Sequence, residues 1–180
     1  MADWPNKLTP LDRQLNRFTR LRPGEGRGVL LFFGYAFLMM VSYYIIKTIR
    51  EPLLLTGSSA EMKSYAYAVV ALLLFLLVPV YGAAFRHTSK QQLTRYVSGF
   101  FIVNLGLFFL AGRAGWDVAF AYYVWVGIFG VFITAQFWAF AADSYNVKSG
   151  QRLFPLIMIG ATLGGLTAPW LSGQLFPYLG

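Results

Sequence analysis

Residues 43–55 read YYIIKTIREPLLL, so Lys47, Arg50 and Glu51 are three ionisable groups set in an apolar run. On a helix, positions 43, 47, 50 and 51 fall at i, i+4, i+7 and i+8, which puts Tyr43 on the face of the three charges. A basic face beside tyrosine suits a phosphate or a carboxylate, with Arg giving a planar two-pronged donor and Lys a compact charge. Glu51 then either holds Arg50 in place or competes with an anionic ligand. A plainer reading stands beside this one. Counted from Gly28 at about 1.5 Å per residue, Lys47 lies about 29 Å along the helix, near the edge of a bilayer core. Long side chains snorkel to the surface from that depth at small cost. The cluster would then be two interfacial anchors and a charge partner before a proline-ended helix. Pro52 is expected to bias Glu51 away from helical geometry and set the cluster on a bend.

Other chemistry is sparse. The chain has no cysteine and one histidine, His87, which removes disulfides and thiolate sites and argues against a zinc centre or a histidine-based triad. No cofactor and no enzymatic activity are expected. Asn104 and Gln136 are the main amides within the apolar runs, where such groups usually bond a neighbouring helix. Gln136, next to FWAF, is also a candidate cavity contact. Tyr122, Tyr123, Trp125 and Trp138 read as belt or packing residues, with stacking on a base as the minor alternative. Gly160-x-x-x-Gly164 with Gly165 forms a small-residue face for close helix packing. It is no phosphate loop, since no Lys-Ser/Thr follows the glycines. Arg86, Lys90, Asp143 and Arg152 are candidates for a cytoplasmic gate or loop cluster.

The elements that must position these residues are membrane spans. The 180 residues are 57% hydrophobic and 12% charged, about half the usual charged share of a soluble domain. A bilayer core needs about 20 apolar residues of helix. Five segments qualify, at about 28–50, 59–85, 90–111, 118–141 and 151–176, giving an all-α membrane protein with short loops. Ser58-x-x-Glu61 and Ser89-x-x-Gln92 read as capping boxes, Asp117 as a helix cap, and Pro79 as a kink. Continuous apolar runs favour helices over the alternating strands of a barrel. The polar first ten residues lack the pattern of a cleaved signal, so the first span is expected to be retained.

The net charge of +8 is not interleaved like a nucleic-acid surface, and no nucleic-acid partner is expected. Lys7, Arg13, Arg17, Arg20, Arg22, Arg27, Arg86, Lys90, Arg95, Lys148 and Arg152 fall on one side of the spans. Lys47, Arg50, Lys63 and Arg113 fall on the other. That asymmetry puts the N-terminus in the cytoplasm. Residues 1–27 are expected to form a basic arm, with Leu8, Leu11, Leu15 and Phe18 on one face of an amphipathic helix lying on the bilayer surface.

Four features together resemble the N-terminal half of the ATP:ADP antiporter (NTP/NDP exchange transporter) family of the major facilitator superfamily. They are RPGEGRGVLLFFGYAFLMMVSYYIIKTIREPLLL, VPVYGAAFRHTSKQQLTRY, FWAFAADSYNVKSGQRLFPLIMIGATLGGL, and the spacing of the spans. They cover most of residues 22–176. The resemblance implies an incomplete N-terminal bundle of a twelve-helix facilitator working by alternating access. The transported solute would be a small anion such as ATP or ADP, and the membrane a bacterial inner membrane. It also implies that Arg50 stands where the exchangers carry a substrate-contacting lysine, and Glu51 where they carry its acidic neighbour. The family's acidic residue in helix four is missing here, at about Val126. The Asp expected a few residues past Gly82 is also missing. Five helices would need the remaining transporter helices or a partner subunit. The alternative is a non-transporting membrane scaffold or assembly subunit that uses the Gly160 face and the basic arm to hold partners.

Overall fold

The computed structural model describes residues 9–16, 19–57, 60–87 and 90–179. Six helices account for nearly all of them: α1 (Pro10–Leu15), α2 (Glu25–Gly57), α3 (Ala60–His87), α4 (Lys90–Arg113), α5 (Ala119–Ser144) and α6 (Val147–Leu179). The described residues contain no strand. The last five helices each hold a stretch long and apolar enough to cross a membrane. Helix is the required answer for such sequences, because inside hydrocarbon every backbone N–H and C=O must find its partner within the segment.

Span number and order agree with the sequence expectation; several ends do not. α2 does not stop before Pro52 but runs through it to Gly57. Proline removes the N–H that would bond the Thr48 carbonyl and crowds that carbonyl with its ring, a local cost that a helix of 33 residues packed beyond it at Leu53 and Leu54 absorbs. Glu51 is accordingly helical, and the expected departure from helical geometry is not seen. α3 likewise continues past Pro79. α6 begins four residues before Gln151, because the Asn146 side chain accepts from the Ser149 N–H at 2.9 Å and caps it. Asp117 accepts from the Ala119 N–H at 3.1 Å, the expected cap of α5. α4 ends in a Schellman motif. Trp116 N–H bonds Ala111 C=O at 3.1 Å and Gly115 N–H bonds Gly112 C=O at 3.0 Å, with Gly115 at φ +80°. The expected caps at Ser58 and Ser89 lie outside the described residues.

The chain forms two compact units, one of Met1–Ile45 with Phe137–Gly180, the other of Ile46–Gln136. In the first, α6 lies against α2 along the glycine face. A Cβ on Gly160 would stand 2.5 Å from the Phe33 carbonyl oxygen, and one on Gly164 would collide with the Phe37 carbonyl oxygen. Gly165 faces the Tyr44 ring. Only glycine lets two helix backbones approach this closely, and dispersion and weak Cα–H···O contacts then hold them. The face proposed for partners is therefore taken up by α2 of the same chain.

The second unit is centred on the first half of α5. Leu54, Ala66, Ala119, Tyr123 and Val124 form its buried core, with Leu53, Val70 and Phe120 packed around them. Gly127 faces Val70, where a Cβ would come within 2.9 Å, so α3 and α5 are also spaced by a glycine. Rings join α4 to α5: Phe101 meets Trp125 and Phe129 at 5.7 and 5.0 Å, and Trp125 stacks on Phe129 at 5.4 Å. Outside this core, α3 and α4 carry large apolar side chains such as Phe75 and Ile102 with most of their surface open. In lipid such exposure carries no hydrophobic penalty, and packing alone selects the buried face.

A larger residue at the glycine seam should separate α2 from α6. Gly160→Leu and Gly164→Leu should each destabilise by about 1–3 kcal/mol, as overpacking does. Gly173→Ala, on the same helix with open space around it, should be neutral. Thermal melts of the purified variants in detergent test this, and equal melting of all three would refute the seam.

Candidate functional site

Arg50 and Glu51 of the apolar run 43–55 meet Lys63 and Tyr123 in a cluster in the second unit. Arg50 is buried, with a side chain only 8% exposed. Its guanidinium lies 4.2 Å from the centroid of the Tyr123 ring, a cation–π distance, and its Nη2 donates to Glu51 Oε1 at 3.2 Å. Tyr123 O–H donates to the same Oε1 at 3.3 Å, and Lys63 Nζ donates to Oε2 at 2.6 Å. Tyr67 closes edge-on against Tyr123 at 5.7 Å. One carboxylate thus joins α2, α3 and α5.

Each helix presents its residue for a local reason. Lys63 stands in the first turn of α3, and Tyr123 in the second turn of α5, which Asp117 starts. Tyr122 O–H donates to the Ile46 carbonyl at 3.3 Å and sets α5 beside α2 one turn before Arg50. Burying Arg50 costs desolvation, which the carboxylate and the ring offset only in part. Its Nε is buried without a hydrogen-bond partner among the described residues. Two cations share one anion, so the Arg50–Glu51–Lys63 group carries one net positive charge. An incoming anion at Arg50 or Lys63 competes directly with Glu51.

The other sequence candidates scatter. Lys47 is half-buried on α2, and Tyr43 sits further back on the same helix with its ring edge-on to Tyr44 at 5.3 Å. Gln136 is buried and lines a cavity of about 240 Å³ with Ser98 and Trp125. Its Nε2 and the Trp125 Nε1 lack partners among the described residues. Asn104 does not reach another helix; it donates to the Phe100 carbonyl of its own at 2.8 Å. The side chains of Arg86 and Lys90, and His87, lie outside the described side chains. Lys63 and Tyr123 were missed as members of the cluster. The signal for Lys63 was present: it falls on the same sparsely charged side as Lys47 and Arg50.

A second polar cluster lies in the first unit, where the chain before α2 is strapped to α6. Asp12 is fully buried, and its carboxylate accepts from the backbone N–H of Thr9, Gly24 and Gly26 at 3.1, 3.2 and 3.0 Å. Asp12 and Thr9 make a capping box on α1, so one carboxylate caps α1 and also serves the first turn of α2. Asn16 Oδ1 accepts from Leu21 N–H at 3.0 Å, and Leu21 is completely buried. The expected amphipathic helix of the arm is in its described part a six-residue helix followed by this tied loop; Leu8 and Phe18 lie outside the described residues. Arg152 pairs with Glu25 at 3.1 Å and also donates to the Arg20 carbonyl, while Thr19 Oγ1 donates to the Arg152 carbonyl at 2.6 Å. Ser149 Oγ donates to Glu25 at 3.4 Å. Arg152 therefore ties the arm to α6, and Asp143 is exposed nearby in sequence. Burial first, and the Glu25 charge second, raise the Tyr145 hydroxyl above its ordinary range.

Compared with protein-family models, curated proteins and solved structures, the chain shows no significant match. Among the described residues no cluster of three or more His, Cys, Asp or Glu side chains could hold a metal ion.

Burial alone would raise the Asp12 pKa, but the bonds from Thr9, Gly24 and Gly26 outweigh it and hold the carboxyl below the usual aspartate range. Its contribution is therefore complete above about pH 4 and is lost as the pH falls through the lowered value. Asp12→Ala should abolish amide-exchange protection at Gly24 and Gly26 at neutral pH while leaving α5 protected. Unchanged protection of Gly26 would refute the strap.

Proposed function

We propose that this chain is a membrane-embedded part of a facilitator-type secondary transporter for a small anionic solute, working by alternating access. One observation carries the reading: a buried arginine with an unpartnered Nε sits in a cluster of net positive charge, within spans that otherwise hold almost no charge. A buried cation of this kind is expensive in a membrane protein and usually marks a pathway or a ligand site. Arg50 binds the anion, Lys63 adds a second charge, Tyr123 holds the guanidinium plane, and Glu51 is the internal anion that the solute displaces. Gln136 is a weaker contact from its own cavity.

The resemblance of residues 22–176 to the ATP:ADP antiporter family supports the same assignment and makes ATP and ADP the first solutes to test. On this reading the basic N-terminal end faces the cytoplasm and the membrane is a bacterial inner membrane. The open apolar faces of α3 and α4 leave room for further transporter helices. They also suit a second reading, an assembly subunit whose partners cover those faces. A stoichiometric co-purifying protein without any solute binding would select that one.

Arg50→Ala should abolish the rise in Tm that a bound anionic solute gives the purified protein, and Arg50→Lys should keep part of it, since the charge remains and the fork does not. Lys148→Gln, exposed and on another helix, should respond as the parent does. A panel of nucleotides and simple phosphates supplies the readout. A normally inserted Arg50→Ala protein with an undiminished response would remove Arg50 from the site.

A further inference from the structure

The strap before α2 also builds a basic hollow. Arg20, Arg22, Pro23 and Arg152 line a concavity of about 390 Å³. Arg152 is fixed there by Glu25 and by the Arg20 carbonyl, so its position is set before any ligand arrives. The guanidinium groups of Arg20 and Arg22 have no hydrogen-bond or ion-pair partner among the described residues, and both residues are exposed.

Their backbone is the opposite of loose. Leu21 between them is completely buried, its N–H is held by Asn16, and Gly24 just beyond is held by Asp12. Between Thr9 and Arg27 the only acids are Asp12 and Glu25, and both are committed to internal bonds. Two free arginines are therefore presented by a rigid loop, next to a third that is locked, with no nearby acid of that segment left to neutralise them. Holding the backbone of both arginines in place leaves only their side chains to order when an anion binds, which lowers the entropic cost of binding.

The place identifies the anion. The hollow lies where α2 and α6 begin, at the end of two membrane spans, which is the depth of the lipid phosphates. Arginine forks match phosphate oxygens in pairs. We infer that the Arg20–Arg22–Arg152 hollow binds the phosphate of an anionic lipid headgroup, which locks the N-terminal strap to the membrane surface. This site is separate from Arg50 and does not depend on the transport reading.

The test is native mass spectrometry of the full chain released from an equal mixture of phosphatidylglycerol and phosphatidylcholine. The parent should retain phosphatidylglycerol preferentially. The Arg20→Gln/Arg22→Gln variant should lose about thirty-fold of that preference, the effect expected from removing two surface cations. Its Tm in pure phosphatidylcholine should match the parent, since the bonds of the strap use the backbone of both residues; if it melts early, the single variants carry the test. Arg27→Gln removes an exposed charge of the same segment outside the hollow and should keep the preference. An equal loss in Arg27→Gln would mean diffuse surface charge and overturn the site, as would an undiminished preference in the double variant. Stabilisation by free pyrophosphate in phosphatidylcholine, without any phosphatidylglycerol preference, would overturn the lipid assignment in favour of a soluble phosphate.

Discussion

The Glu51 carboxylate is the interaction on which the second unit depends. Each of its oxygens is used, one by Arg50 and Tyr123, the other by Lys63. Without it, Arg50 would be a buried cation facing a ring and little else, a state that a low-dielectric interior does not tolerate. With it, three helices meet at one point, and the apolar core of Leu54, Ala66 and Val124 packs around that point. Charge and packing cooperate here, because apolar surface alone gives little direction to helix association inside lipid.

The first unit solves the same problem differently, and among its described residues no buried ion pair joins the spans. Its helices are brought together by absence of side chain, at Gly160 and Gly164 against the Phe33 and Phe37 carbonyls. Its charges are gathered at the end, where Glu25, Arg152 and Asp12 bind the preceding chain to both helices. The two units therefore use the two devices available in a membrane, a polar bond that must be satisfied and a backbone contact that needs no side chain.

Much of this was legible in the residues. The five spans follow from apolar runs of bilayer length, and Arg50 and Glu51 stand out because the spans hold so few charges. Helix ends were less legible. Pro52 looks like a stop, yet its local cost is offset in a long helix whose last turn is packed through Leu54. Partner choice was legible least. Nothing in the order of residues says that Lys63 and Tyr123 reach Glu51, since that depends on how α3 and α5 turn about their axes. Asp12 was hidden for the opposite reason: within a basic arm it reads as one surface charge among many, and only the fold shows it buried against Gly24 and Gly26.

The proline inside α2 has a mechanical side. Because residue 52 has no hydrogen to give the Thr48 carbonyl, bending the helix at that turn strains one backbone bond fewer than bending it elsewhere. Arg50 and Glu51 stand within it, and Leu53 and Leu54 just beyond it are seated in the core of the second unit. A force applied to the charged pair therefore falls on a turn with one ladder bond fewer, directly beside two leucines held in the core.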